Sequence, residues 1–225
     1  MNERAPHIFD APAVALLRRC LYAASNAPTR PVLSAASIGG HTAVTTDSYR
    51  LAIAYFDGDP IPHVLLGATQ LEKSLPRTGA WTLSENYLTR CPPEWQYPRW
   101  EKLLRDARWE YSYVADRDTL TTFFDALPAQ KRGQTVTARI TATGELSTSD
   151  LHDRMEHPDP WDHRGITLET VGPTQTTYFN AYYLRDLIRA CTTETIHLEC
   201  GGVSAPMMVR QPGMTHLVMP MLVVH

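Results

Sequence analysis

The densest run of side chains able to do chemistry is Ser149-Asp-Leu-His-Asp-Arg-Met-Glu-His157, continued by Asp159, Asp162 and His163. Imidazoles and carboxylates together suit a divalent metal, which would activate water for hydrolysis. The stretch from Asp150 to His163 is polar, carries Pro158 and Pro160, and lacks the regular helical spacing of a metalloenzyme ligand pair. It reads as a solvated loop, and metal-dependent hydrolysis from it stands as a distant alternative. There is no Gly-rich phosphate loop and no GxSxG elbow. The four cysteines, Cys20, Cys91, Cys191 and Cys200, form no CxxC pair and read as reduced, structural thiols of a cytoplasmic protein. The expectation is a chain that is not an enzyme, with no catalytic residue, no metal and no cofactor.

Charge narrows the remaining classes. The 225 residues carry 21 Lys/Arg and 24 Asp/Glu, a net of -3. That argues against a protein that coats nucleic acid over its whole surface, but leaves room for a basic strip on an acidic body. Residues 1–105 hold 11 Lys/Arg and 9 Asp/Glu, and residues 106–225 hold 10 and 15, so the first half is the more basic. The N-terminus MNERAPHIFD has no apolar core of a signal peptide, and no stretch approaches the roughly 20 apolar residues of a membrane span.

The elements that must position any site come in two similar sets. In the first half, His7 to Asp10 is strand-like. Ala11 to Ser25 reads as a helix with Asp10 as N-cap, Pro12 in its first turn, and Leu17, Leu21 and Ala24 on one face. Pro31 to Ile38, Thr42 to Thr46 and Arg50 to Phe56 read as strands, with a tight hairpin at Gly39-Gly40. His63 to Leu75 reads as a second helix, closed by Pro76 and Gly79, with strands at Ala80 to Leu83 and around Tyr87 to Cys91. After a charged linker, Trp100 to Arg108, expected to be extended, the order returns: strand Trp109 to Ala115, helix Asp116 to Leu127, strands Thr135 to Thr141 and Leu146 to Thr148. The polar loop Ser149 to Gly165 follows, then strands Ile166 to Val171 and Thr176 to Phe179, helix Asn180 to Ala190, and strands Thr195 to Glu199, Met207 to Arg210 and His216 to Val224. Each half therefore runs strand, helix, strands, helix, strands. Two domains of ordinary size, 1–105 and 106–225, are expected.

Three segments carry a family resemblance. One is Arg30-Pro-Val-Leu-Ser34 with Val44-Thr-Thr-Asp-Ser-Tyr-Arg-Leu-Ala52. Another is Tyr97-Pro-Arg-Trp-Glu-Lys-Leu-Leu104. The last is Tyr178-Phe-Asn-Ala-Tyr-Tyr-Leu-Arg-Asp-Leu187, then Ser204-Ala-Pro206, then Leu217-Val-Met-Pro-Met221. Each alone is a weak signal. In this order, from Arg30 to Met221, they resemble the second and third domains of bacterial replicative sliding clamps, the beta subunits of DNA polymerase III. With a short tail before His7, the family's first domain is expected to have no counterpart here. Three departures stand out. The acidic, His-rich loop Asp150 to His163 has no counterpart in the family. Ser48 occupies a position where the family usually has glycine, which is expected to reshape a tight turn. After Met221 the chain continues Leu222-Val-Val-His225 in place of a basic residue and a terminal leucine.

The resemblance implies an α+β fold of two tandem clamp domains, each with two helices packed on antiparallel sheets, forming a ring on oligomerisation. The implied function is that of a polymerase processivity factor that encircles duplex DNA without reading its sequence. It implies an inner wall of helices whose candidate cations are Arg18, Arg19, Lys73, Arg77, Lys131, Arg132, Arg185 and Arg189. Arg185 and Arg189 are spaced i and i+4 on one helix face. It implies a partner-peptide pocket between the domains lined by Leu33, Thr46, Ser48, Tyr49, Arg50, Leu51, Pro98, Lys102, Leu103, Val203, Val218, Met219, Pro220 and Met221. Methionine adapts to varied ligands there. Implied partners are DNA polymerase and other proteins with clamp-binding motifs, a clamp loader, and further copies of the chain. Two domains per chain point to a head-to-tail homotrimer, in the cytoplasm beside the nucleoid. The alternative is a clamp-fold peptide-binding adaptor or decoy that does not encircle DNA.

Overall fold

A computed structural model describes residues 6–27, 29–83, 96–130, 135–150 and 165–222. The chain packs as two compact units, Met1–Arg99 with Pro212–His216, and Trp100–Gln211 with Leu217–His225. The division falls between Arg99 and Trp100, where the sequence reading sets it at 105/106. The segment 212–216 also returns to the first unit, because Gly213 accepts a backbone hydrogen bond from Tyr55 at 2.9 Å. Among the described residues no helix is long and apolar enough to cross a membrane.

The first unit begins with β1 (His7–Phe9) and α1 (Ala11–Cys20). Asp10 caps α1 by accepting from the Ala13 amide at 2.9 Å, and Pro12 sits where a missing N–H costs nothing. Val14, Leu17 and Cys20 form the buried face. The α-helix stops at Cys20, five residues earlier than expected from its apolar spacing. The Thr45 hydroxyl donates to the Cys20 carbonyl, and the Ala24 amide turns back to Leu21, so the ladder tightens into a 3-10 turn at Leu21–Ala23.

The unit's sheet is built from β2 (Ala35–Gly40), β3 (Thr42–Thr46), β4 (Arg50–Tyr55) and β5 (Ile61–Gly67). All neighbours are antiparallel, in the order β4-β3-β2-β5, with β15 (Met214–Val218) beside β4. Two expectations need correction here. Pro31–Ser34 is a 3-10 turn rather than the start of a strand: Pro31 has no N–H to give a ladder, and Ser34 closes the turn on the Pro31 carbonyl at 2.7 Å. Residues 61–67 are a strand, and only α2 (Ala68–Ser74) is helical. Val64, Leu65 and Leu66 are all buried, and a short continuous apolar run fits a buried strand as well as a helix. β6 (Trp81–Leu83) pairs with β1, and the core gathers around Phe9, Leu17, Ile38, Leu66 and Leu71.

The second unit holds α3 (Glu101–Asp106), β7 (Tyr111–Asp116), α4 (Arg117–Asp125), β8 (Val136–Ile140), β9 (Glu145–Asp150), β10 (Ile166–Thr167), β11 (Glu169–Val171), β12 (Thr177–Asn180), α5 (Ala181–Ala190), β13 (Thr195–Cys200) and β14 (Met207–Gln211). The stretch expected as an extended linker is the short helix α3, with Glu101 in its first turn and Arg105 in its last, both favourable to the helix dipole. Two antiparallel sheets form, β10-β9-β8-β12 and β11-β7-β13-β14. The run expected as one strand, Ile166 to Val171, divides at Leu168. Ile166 and Thr167 pair with β9, whereas Glu169 to Val171 pair with β7. Leu168 itself is buried and donates its amide to the Gly144 carbonyl at 2.8 Å. Gly144 has φ +84, and an added Cβ would meet the Leu168 carbonyl at 2.3 Å, so this corner requires glycine. α4 and α5 pack together over a core of Leu120, Phe124, Ile140, Phe179, Tyr182 and Leu187.

β15 ends at Val218, so residues 219–222 of the expected strand are not part of it, and Val223 and Val224 lie outside the described residues. Pro220 cannot donate to a ladder, and Met221 instead gives its amide to the Tyr178 carbonyl at 2.7 Å. The strand expected around Tyr87 to Cys91 lies outside the described residues. Each unit thus sets α-helices on antiparallel sheets, an α+β architecture, with α3 as an extra short helix in the second unit.

Candidate functional site

In the first unit the pocket candidates converge on the turn between β3 and β4. Asp47 is the centre of it. Its Oδ1 accepts the Tyr49 amide at 2.9 Å and the Arg50 amide at 3.0 Å, and its Oδ2 accepts Arg50 Nε at 2.9 Å. Thr46 closes the far side: its hydroxyl donates to the Arg50 carbonyl at 2.6 Å, and its oxygen accepts the Ser48 amide at 3.2 Å. This web holds Ser48 at φ +82, the only positive φ at a non-glycine among the described residues. Serine here takes up the left-handed conformation that glycine adopts without strain. Leu51 and Leu33 are buried, whereas Tyr49 is 56% exposed. Arg30 reaches across and donates to Ser48 Oγ at 3.0 Å.

Behind this turn lies a contact that no short-range spacing announces. The Arg50 guanidinium stands 5.5 Å over the Tyr22 ring, and the Tyr22 hydroxyl meets His216 Nδ1 at 3.0 Å. His216 is fully buried in β15, and burial pushes its pKa down to about 4, so the imidazole is neutral at ordinary pH. Pro98, another candidate, is exposed on the segment after Gln96. Its neighbour Tyr97 anchors that segment by donating to the Ala35 carbonyl at 3.4 Å and the Val44 carbonyl at 3.2 Å. Burial raises the Tyr97 phenol well above its usual range, so it stays protonated and keeps its O–H to donate.

The other pocket candidates belong to the second unit. Lys102 and Leu103 are exposed on α3, and Val203 is exposed in the turn between β13 and β14. Val218 is fully buried at the end of β15, and Met219, Pro220 and Met221 are half-buried in the tail tied to Tyr178. Thr46, Ser48, Tyr49, Arg50, Leu51 and Leu33 are therefore brought together within one unit, and Met219 to Met221 within the other. Arg30, Asp47, Tyr22 and His216 were missing from the sequence-derived set. The Asp-Ser-Tyr-Arg pattern of a side-chain-closed turn signals Asp47. Nothing local signals the Tyr22 to His216 contact.

The wall candidates are divided in character. Arg18 donates to the Leu75 carbonyl at 2.8 Å, filling an otherwise open acceptor just past α2. Arg19, Lys73 and Arg77 are exposed. Arg185 lies with its guanidinium 4.9 Å over the Tyr182 ring and its side chain only 17% exposed, so it is packed more than solvated. Arg189 pairs with Asp125 of α4 at 2.8 Å. Lys131, Arg132 and the stretch Asp150 to His163, Asp150 itself apart, lie outside the described residues. Taken together, α1, α2, α4 and α5 hold six Lys/Arg and four Asp/Glu, a net of +2 on a chain whose total is -3.

Among the described residues no cluster of three or more His, Cys, Asp and Glu is placed to hold a metal. Cys20, Cys191 and Cys200 are free and buried, and burial pushes each thiol up to about 12, which removes them as nucleophiles. Cys91 lies outside the described residues.

Two α+β units in tandem, each with helices on antiparallel sheets, define the fold class of the DNA sliding clamps. Solved structures bear this out over the whole chain. The DNA polymerase sliding clamp of Bacillus subtilis matches with a TM-score of 0.76 at 16% identity, over 100% of this chain and 66% of that one. The beta subunit from DNA polymerase of Streptococcus pyogenes matches with a TM-score of 0.76 at 20% identity, over 98% and 66%. DNA polymerase III subunit beta of Borrelia burgdorferi, solved with a natural product, matches with a TM-score of 0.78 at 13% identity, over 99% and 65%. The chain spans about two thirds of the length of these clamps. No protein-family model and no curated protein matches its sequence.

Proposed function

We propose that this chain is a sliding clamp: a polymerase processivity factor, without catalysis of its own, that encircles duplex DNA and tethers replication proteins through an apolar pocket. The observation that supports the reading is the clamp fold along essentially the whole chain. The helices supply a modest positive excess, which suits a wall that attracts phosphates without gripping bases. The candidates for the pocket are the Ser48 turn in the first unit and, in the second, Lys102, Leu103, Val203 and the Met219 to Met221 tail. Its ligands would be short apolar motifs of a DNA polymerase, a clamp loader and other replication proteins.

A ring needs sheet edges that can meet. β5 is the edge strand of the first unit's sheet, and β11 that of the second's. A chain contributing only these two units would need three copies, joined head to tail at those edges, to close a six-domain ring. The test is retention on nicked circular DNA, with the polymerase's loader where required. A clamp stays bound through a high-salt wash and slides off when the circle is cut. Loss in salt before cutting, or a monomer at every concentration by light scattering, would overturn the ring.

The Arg189–Asp125 ion pair and the packing of Arg185 on Tyr182 favour a second reading, since they withdraw two cations from the wall. On that reading the chain is an adaptor that binds clamp-binding peptides without encircling DNA. It predicts peptide binding with no topological retention.

A further inference from the structure

At the turn between β3 and β4, the pocket candidate Ser48 meets Arg30, a cation outside the pocket set. Arg30 donates one guanidinium N–H to Ser48 Oγ at 3.0 Å. A guanidinium has five N–H donors and no acceptor. A serine oxygen that accepts from Arg30 keeps its own O–H to donate elsewhere. The pair is therefore rich in donors, carries one positive charge, and is exposed at both residues. The nearest acid in sequence does not neutralise it. Asp47 has Oδ2 committed to Arg50 and Oδ1 committed to the amides of Tyr49 and Arg50. Among the described residues, no carboxylate forms an ion pair with Arg30. Glycine at position 48 would satisfy φ +82 without strain, but would carry no hydroxyl. Serine there sets an oxygen on the guanidinium, next in sequence to the exposed Tyr49.

We infer that Arg30 and Ser48 form a carboxylate receptor, so that the segment docking on this turn carries an aspartate or glutamate beside its apolar anchors. The inference rests on the reading of the turn as part of a peptide pocket and names the chemistry of the peptide. A carboxylate accepts from a guanidinium and a hydroxyl together, whereas a neutral amide forgoes the charge-assisted part of the bond. A preference of about tenfold is expected for one added charge-assisted contact.

The experiment compares two short synthetic peptides on the intact protein by fluorescence anisotropy. Both have leucine and phenylalanine anchors, one followed by glutamate and the other by glutamine. The wild-type protein should favour the glutamate peptide about tenfold at low salt, with the gap closing as salt rises. Arg30→Gln should erase the preference, bringing the two peptides to equal affinity. Ser48→Gly, which keeps the turn, should narrow it. Equal binding of both peptides by the wild-type protein would overturn the carboxylate receptor and leave the pocket standing. Absence of binding by either peptide would overturn both. A preference that survives Arg30→Gln would place the receptor elsewhere and overturn this assignment.

Discussion

Ser48 holds a backbone conformation that an L side chain adopts at a cost of roughly 1–2 kcal/mol. The turn imposes it: Thr46 fixes the Ser48 amide from one side, and Asp47 fixes the next two amides from the other. A β-branched side chain suits that conformation worse than serine does. Ser48→Val should therefore cost about 1–3 kcal/mol in urea unfolding. Ser48→Gly should change stability by less than about 1 kcal/mol, because relief of strain is offset by a floppier unfolded chain and the lost Arg30 contact. His216 makes a second prediction, with a definite sign. Its pKa near 4 in the folded protein lies below its ordinary 6.5, so the unfolded chain takes up the proton first as pH falls. The stability owed to a neutral His216 is complete above pH 6.5 and drains away between pH 6.5 and 4. At pH 5 the loss is on the order of 2 kcal/mol relative to pH 7. His216→Gln keeps a polar partner for Tyr22 but does not titrate, so its unfolding free energy should fall less between those two pH values. An identical fall would assign the acid sensitivity to other groups.

At the scale of elements, α5 shows what local sequence decides. Asn180 accepts from the amides of Tyr182 at 3.0 Å and Tyr183 at 3.4 Å, as its place before an apolar-periodic run predicts. Asn180→Ala should cost about 1 kcal/mol by thermal or urea unfolding. Asn180→Asp should recover most of that, and equal damage from both would mean that the side chain does something other than cap. The same local logic made α1, α4 and the hairpin strands legible, and it made the β3–β4 turn legible as a unit, since Thr46 to Leu51 are contiguous. It failed where the deciding partner is distant. Residues 61–67 became a strand because β2 offers them a ladder, whereas their apolar run alone fits helix and strand alike. Ile166 to Val171 divides because Leu168 finds Gly144, more than 20 residues back. The link from Arg50 through Tyr22 to His216 joins residues 194 apart, beyond any periodicity. The site was thus readable in its surface residues and hidden in its support.

At the scale of the whole molecule, a clamp must hold DNA by topology rather than by affinity, and the charge pattern decides how that is tested. Attraction to phosphates is screened by salt, whereas a closed ring is not. The choice of wall residues matters, because the arginines of α5 are poor probes. Arg189→Glu would set a carboxylate against Asp125, and Arg185→Glu would replace a guanidinium stacked on Tyr182, so each disturbs packing as well as charge. Arg19 and Lys73 are exposed, on different helices, and form no ion pair among the described residues. The double substitution Arg19→Glu and Lys73→Glu should leave the unfolding midpoint within about 0.5 kcal/mol of the parent, as surface changes do. It replaces two positive charges by two negative ones, so the helices that carried a net of +2 would carry -2. Loading onto nicked circular DNA at low salt should fall by at least about tenfold, and the weaker salt dependence should reveal the lost phosphate contacts. On the ring reading, protein that does load should still leave only when the circle is cut, because neither substitution touches a sheet edge. Unchanged loading would place the DNA on some surface other than α1 and α2. Unchanged loading with no release on cutting would remove encirclement itself and leave the adaptor reading.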